Sequence, residues 1–172
     1  MNRNKLNDNY EIRNVYLEES MEAAAVEWDC FPLKEACSKE HMAERVEAAP
    51  ELFLVAIERK TGRMAAILNG LSTNESKFRD EFFTDIHLYH PEGENIMILG
   101  LAVREEYRLQ GLASAMMQEY AARAKEEGRK KLILTCLESR VPMYQKMGFS
   151  DDGMADSNWG GECWHEMSYS LI

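Results

Sequence analysis

Arg108-Leu109-Gln110-Gly111-Leu112-Ala113 lies between an unbroken apolar run, Ile96 to Val103, and a helical pattern that lasts until Gly128. It reads as a strand, a tight polar turn and a helix N-terminus. A turn of this kind points several main-chain N–H groups outward at the positive end of the helix dipole, which suits a pyrophosphate-like anion. Gly111 and Ala113 are small enough to let a ligand approach the main chain, and Arg108 offers a fixed positive charge.

A chain of 172 residues is long enough to bury one core without covalent staples, and neither a repeat nor a second domain is visible. The expectation is one domain over 1–172, with the polar residues 1–9 as a flexible arm. No apolar stretch approaches the length that spans a bilayer and no secretory pattern is seen, so a cytoplasmic protein with no membrane partner is expected. The net charge of -10 argues against nucleic acid, which needs Lys and Arg at its phosphates, and favours cationic small molecules. Cys30, Cys37, Cys136 and Cys163 form no C-x-x-C pair and are read as buried free thiols. His87 and His90 could share one side of a helical turn but have no third ligand nearby, so no metal is expected.

Around the central stretch, Tyr10 to Val15 predicts a strand. A helix follows with Leu17, Met21, Ala24, Ala25 and Trp28 at helical spacing, broken by Asp29-Cys30-Phe31-Pro32. Ser38 is the N-cap of a second helix that Pro50 stops. Phe31, Pro32 and Leu33 form an apolar loop between the two, either a plug on the core or one wall of an acceptor pocket. Leu52 to Glu58 and Met64 to Leu71 predict an antiparallel hairpin. Ser72 to Gly93 predicts a short helix and a loop able to cover a site.

The run Ile96 to Val103 predicts a central strand, with Gly100 marking a bulge. Ala113, Met116, Met117, Tyr120, Ala121 and Ala124 form the buried face of the next helix, Gly128 ends it, and Leu132 to Leu134 begins a parallel strand. Glu138 to Met147 is a shorter helix ended by Gly148. In the last strand, Cys163 to Leu171, His165 falls on the apolar face and reads as a structural histidine.

Two motifs resemble the GNAT N-acetyltransferase family over Pro50 to Tyr169, roughly two thirds of the chain. Leu99-Gly100-Leu101-Ala102-Val103 with Tyr107 to Ala113 resembles the family's strand and its acetyl-CoA loop. Val141-Pro142-Met143-Tyr144-Gln145-Lys146-Met147-Gly148-Phe149 resembles its helix ending in Y-x-x-x-G-F. Cys30-Phe31-Pro32-Leu33, Pro50-Glu51-Leu52, His90-Pro91-Glu92-Gly93 and Cys136 ahead of Val141-Pro142 are similar to the arylalkylamine (serotonin) branch. Met97 and Leu99 stand where vertebrate members of that branch carry two histidines.

The resemblance implies an α/β (α+β) fold: a mixed, mostly antiparallel sheet of six to seven strands flanked by helices, with a parallel pair splayed around acetyl-CoA. It implies acetyl transfer from acetyl-CoA, as cosubstrate, to a primary amine by direct attack. The main chain of Leu101, Ala102 and Val103 would hold the pantetheine arm and thioester, and the N–H groups of Leu109, Gln110, Gly111, Leu112, Ala113 and Ser114, with Arg108, the pyrophosphate. Tyr144 would be the general acid. For the base, His87, His90, Glu138 and a water chain stay open. Phe31, Pro32 and Trp159 would wall an aromatic or alkyl amine, in a monomer or homodimer. A protein N-terminus or lysine as acceptor, and a non-catalytic acyl-CoA-binding module, are the competing readings.

Overall fold

Alternation along β2 (Phe53–Glu58) sends Phe53 and Val55 to one face of a sheet and Leu54 and Ala56 to the other, and all four are buried. Both faces are therefore covered. In the computed structural model, which describes residues 3–172, the sheet also contains β1 (Tyr10–Asn14), β3 (Met64–Thr73), β4 (Asn95–Val103), β5 (Lys131–Leu137), β6 (Ser150–Met154) and β7 (Trp164–Ser170). The order is β1-β2-β3-β4-β5-β7-β6. Every ladder is antiparallel except β4 with β5, so the seven-stranded mixed sheet expected from the sequence is present.

Among the helices, α1 (Arg3–Asn9) precedes β1, and α2 (Ser20–Cys30) and α3 (Lys39–Ala48) pack on the face bearing Phe53, Val55 and Ile67. α4 (Leu112–Glu126) and α5 (Val141–Lys146) contribute Met116, Met117 and Tyr144 to the core containing Leu54 and Leu68. Ser38 Oγ accepts the His41 N–H at 3.1 Å, the N-cap predicted for α3. The segment between β3 and β4 contains two short 3₁₀ turns, Asp80–Phe83 and Ile86–Leu88, of which the first buries Phe82.

Three expectations are corrected. Within the N-terminal segment read as a flexible arm, Arg3–Asn9 is helical and Leu6 is buried in the main core, anchoring it. The buried face of α2 is Ala23, Ala24, Val26 and Glu27, while Leu17 and Met21 are mostly exposed. A stripe of small residues lets this helix sit close to the sheet, which the larger apolar residues could not do. All four cysteines are free, but Cys163 lies outside β7 and is exposed, not buried.

The feature that positions the site is where β4 and β5 part. They pair only from Asn95–Met97 to Lys131–Ile133. Beyond Met97 no β5 partner continues the ladder. Leu99 is the extra residue of a bulge between the pairs Gly70↔Ile98 and Asn69↔Gly100, beside the glycine that predicted it.

Candidate active site

Because β4 and β5 are parallel, their C-terminal ends lie at the same open end of the sheet, where Gly100, Leu101 and Val103 become half-buried. The Arg104 N–H donates to Ala65 O at 2.9 Å across the β3 ladder. Alternation then turns the main-chain groups of Leu101 and Val103 toward the edge that β5 has left. Those of Ala102 face β3, and its side chain is buried against α2, so Ala102 is not on the open edge with its neighbours. Val103 O accepts Arg108 Nε at 2.8 Å and Cys30 Sγ at 3.3 Å.

The loop after β4 brings the α4 N-terminus to this same end. Leu109 has φ 61° and Gly111 φ 82°, a left-handed pair of positions that curls the main chain ahead of the helix. No side chain caps α4 and no acidic residue occupies its first turn. The N–H groups of Leu112, Ala113 and Ser114 therefore have no intrahelical acceptor. Gln110 Oε1 accepts the Tyr10 hydroxyl at 3.0 Å, tying that side chain to β1 and leaving its backbone to the turn. Leu109 is fully exposed. An uncapped helix start beside an unpaired strand edge fits the acetyl-CoA expectation: one suits a pyrophosphate, the other an amide-bearing arm.

Tyr144 stands on α5, which begins only a turn beyond β5 and so rises from the open end. Its ring is buried edge-on against Phe149, with centroids 5.7 Å apart at 71°. Burial, with a smaller contribution from Cys136, holds its phenol pKa above the ordinary value, so it stays a proton donor through neutral pH.

The two loop histidines belong to the segment between β3 and β4. His90 exchanges main-chain hydrogen bonds with Ser72, its N–H donating at 2.9 Å and its carbonyl accepting Ser72 Oγ at 2.6 Å. Ser72 pairs with Ile96 at the closed end of the splay, five residues and on the order of 15 Å from Leu101. His87 is 92% exposed, with Nδ1 3.2 Å from Asp85 Oδ1. The main chain of His90 is thus held at the closed end of the splay. Glu138 is exposed at the start of the turn preceding α5.

Phe31 is half-buried against the core that includes Ala102, whereas Pro32 is exposed and anchors a turn by accepting the Glu35 and Ala36 N–H groups at 2.9 Å. Trp159 clamps that turn, donating Nε1 to Glu35 O at 3.0 Å, and its ring stacks on Phe83 at 4.7 Å. Phe83 in turn accepts Arg45 Nη2 at its carbonyl, at 3.0 Å. The Pro32 turn, Trp159 and Phe83 are thus linked into one connected group.

Sequence reasoning missed a polar cluster behind that group. Glu27, Arg45 and Asn69 are all buried, on α2, α3 and β3. Glu27 Oε2 accepts the Cys37 N–H at 3.0 Å, and Arg45 Nη1 donates to Asn69 Oδ1 at 3.3 Å. That contact fixes the amide orientation, leaving Asn69 Nδ2 buried with no partner among the described residues. A β-carbon on Gly100 would lie 3.0 Å from Glu27 Oε1 and 3.3 Å from Asn69 Nδ2, so both atoms converge on the bulge. Burial raises the Glu27 pKa, against the charge of Arg45 and the Cys37 hydrogen bond. The available signal was spacing: Glu27 follows the small buried residues Ala23 and Ala24 by four and three positions.

The splayed parallel pair and the uncapped helix start that follows it are the fold features that the resemblance implied. The chain belongs to the acetyltransferase (GNAT) family, whose profile matches residues 17–149. It is 28% identical over 123 residues to serotonin N-acetyltransferase of Mesocricetus auratus, covering 71% of this chain and 57% of that protein. The chain thus spans little more than half the length of this curated relative. Among solved structures, the loading GNATL domain of CurA from Lyngbya majuscula superposes with a TM-score of 0.81 at 13% identity, covering 94% of this chain and 98% of that one. The GphF GNAT-like decarboxylase in complex with isobutyryl-CoA gives 0.79 at 16% identity, covering 94% and 100%. At such identities these two likenesses concern the fold.

Proposed function

We propose that the protein transfers the acetyl group of acetyl-CoA to the primary amine of a small aryl- or alkylamine. The observation that carries this reading is the open β4 edge, where Leu101 and Val103 lie beyond the last β5 partner while the uncapped α4 N-terminus follows in the next loop. In this reading the N–H groups from Leu109 to Ser114 hold the pyrophosphate with Arg108, and the main chain of Leu101 and Val103 holds the pantetheine arm. The Leu101 N–H orients and polarises the thioester carbonyl. Acetyl-CoA supplies an activated acyl group, so no covalent acyl-enzyme is needed.

Tyr144 gives a proton to the departing sulfur, a role that its burial supports by keeping the phenol neutral. Phe83, Trp159 and Phe31 supply an apolar wall, and the acidic chain favours a cationic acceptor. The similarity to a serotonin N-acetyltransferase supports the same acceptor class.

The test is product identification by mass after incubation with acetyl-CoA and a panel of small amines, peptides with free N-termini and lysine peptides. Acetylation of arylalkyl- or alkylamines in preference to peptides is the expected result. Preference for peptides would move the reading to protein acetylation. Acetyl-CoA binding with no product would make the chain a binding module.

A further inference from the structure

We propose that Glu27 is the general base of the transfer, taking the amine proton directly or through one water held between Glu27 Oε1 and Asn69 Nδ2 at the Gly100 bulge. The inference rests on the acetyltransferase reading above and names the residue it lacks. The positions matching the branch's histidines are Met97 and Leu99, both buried and without titratable groups; His90 is held by Ser72 at the closed end of the splay, and His87 is almost fully exposed with its ring beside Asp85.

Three observations converge on Glu27. It is a carboxylate only 4% exposed, and only one of its oxygens, Oε2, is engaged by a hydrogen bond among the described residues. Its free oxygen faces Gly100, where β4 leaves its parallel partner and becomes half-exposed. Beside it, a buried amide donor has no partner. A buried unpaired N–H costs about 1–3 kcal/mol, so a polar guest at this point would recover a loss built into the fold. Any side chain at Gly100 would fill the space where that guest sits.

The proton balance follows. The acceptor reacts as the neutral amine. Glu27 takes an N–H proton as the nitrogen bonds to the thioester carbon; the carbon–sulfur bond breaks, and the sulfur takes a proton from the Tyr144 hydroxyl. Solvent restores the Tyr144 proton and receives the one on Glu27. Desolvation places the Glu27 pKa above the ordinary carboxylate range, nearer to working pH, where a base is most effective. The groups facing it are Arg45 from α3, the Cys37 N–H and thiol from the loop, and Asn69 from β3.

The experiment compares wild type, Glu27→Gln and Glu27→Asp with acetyl-CoA and phenethylamine as probe. Glu27→Gln should lower kcat/KM about 100-fold or more and remove the acid limb of the pH profile, with Glu27→Asp recovering part of the rate. Its affinity for acetyl-CoA by calorimetry should stay within about two-fold of wild type. A wild-type-minus-Gln infrared difference titration should show a carboxyl group protonating above the ordinary range. A Gln variant within about three-fold of wild type with the same pH profile overturns the proposal, as does loss of acetyl-CoA binding with loss of fold. If wild type acetylates none of the amine panel, the acetyltransferase reading itself fails. An active wild type with an active Gln variant fails this inference alone.

Discussion

Glu27 on α2 and Gly100 on β4 are in such close apposition that a single carbon added to Gly100 would lie 3.0 Å from the Glu27 carboxylate. In the proposed mechanism the glycine leaves room for the amine or a water, and the carboxylate takes the proton there. Gly100→Ala is therefore expected to fold with a stability loss of about 1–3 kcal/mol from overpacking. Turnover should fall more than affinity for acetyl-CoA, because the intrusion is on the α2 side of β4. Thermal melting and steady-state kinetics on the same preparation separate the two effects.

The same carboxylate should cost the protein stability. Its folded-state pKa is raised, so its favourable contribution is complete below the unfolded Glu pKa and is lost as pH rises through the folded value. Glu27→Gln, which remains neutral, should melt at or above wild type at pH about 8, and the difference should shrink toward pH about 4. Melting curves across that range check the sign. A Gln variant that is less stable at high pH would show that the carboxylate is held by favourable partners.

Removing the Arg45 charge should move the rate profile, because that charge favours ionised Glu27. In Arg45→Met the acid limb of kcat/KM should shift to higher pH. The stability loss should be several kcal/mol, on the order of 3–5, since Phe83 O and Asn69 Oδ1 both lose their donor. An acid limb at the wild-type position would place the titrating group elsewhere.

Tyr144→Phe removes only a hydroxyl from a ring already packed on Phe149, so a stability change below about 1.5 kcal/mol is expected. Turnover should drop about ten-fold or more, with the loss in kcat. Unchanged turnover across pH would remove Tyr144 as the acid.

At the donor loop, Arg108→Ala should raise KM for acetyl-CoA about ten-fold while leaving KM for the amine near wild type. Leu109→Gly should leave melting unchanged or raise stability by up to about 1 kcal/mol, because an exposed leucine now holds φ 61°. Isothermal titration and melting scans measure these effects.

The proposed donor side could be read from the chain because it is local. Val103, the Arg108 turn and the α4 start are contiguous, and a strand-turn-helix written in consecutive residues carries its chemistry in spacing. Tyr144 came with a motif of the same kind. The proposed acceptor side would be assembled from Glu27, Arg45, Asn69, Phe83 and Trp159, which meet only through tertiary packing, so their polar and aromatic identities looked incidental one at a time. The helical stripe was read through Leu17, Met21, Ala24, Ala25 and Trp28, of which only Ala24 is fully buried, while the packed face is Ala23, Ala24, Val26 and Glu27, and that rotation hid Glu27. The loop histidines attracted notice as a residue type that often serves as a base, but Ser72 on β3 holds the main chain of His90 at the closed end of the splay.

The central claim is acetyl transfer at the open end of β4, and its most direct measurement is the rate at which free CoA thiol appears when the protein is mixed with acetyl-CoA and phenethylamine. The account predicts saturable release that depends on the amine, with one N-acetyl product formed per thiol. Acetyl-CoA bound at the site, with no release above the protein-free rate for any amine or peptide, would contradict it.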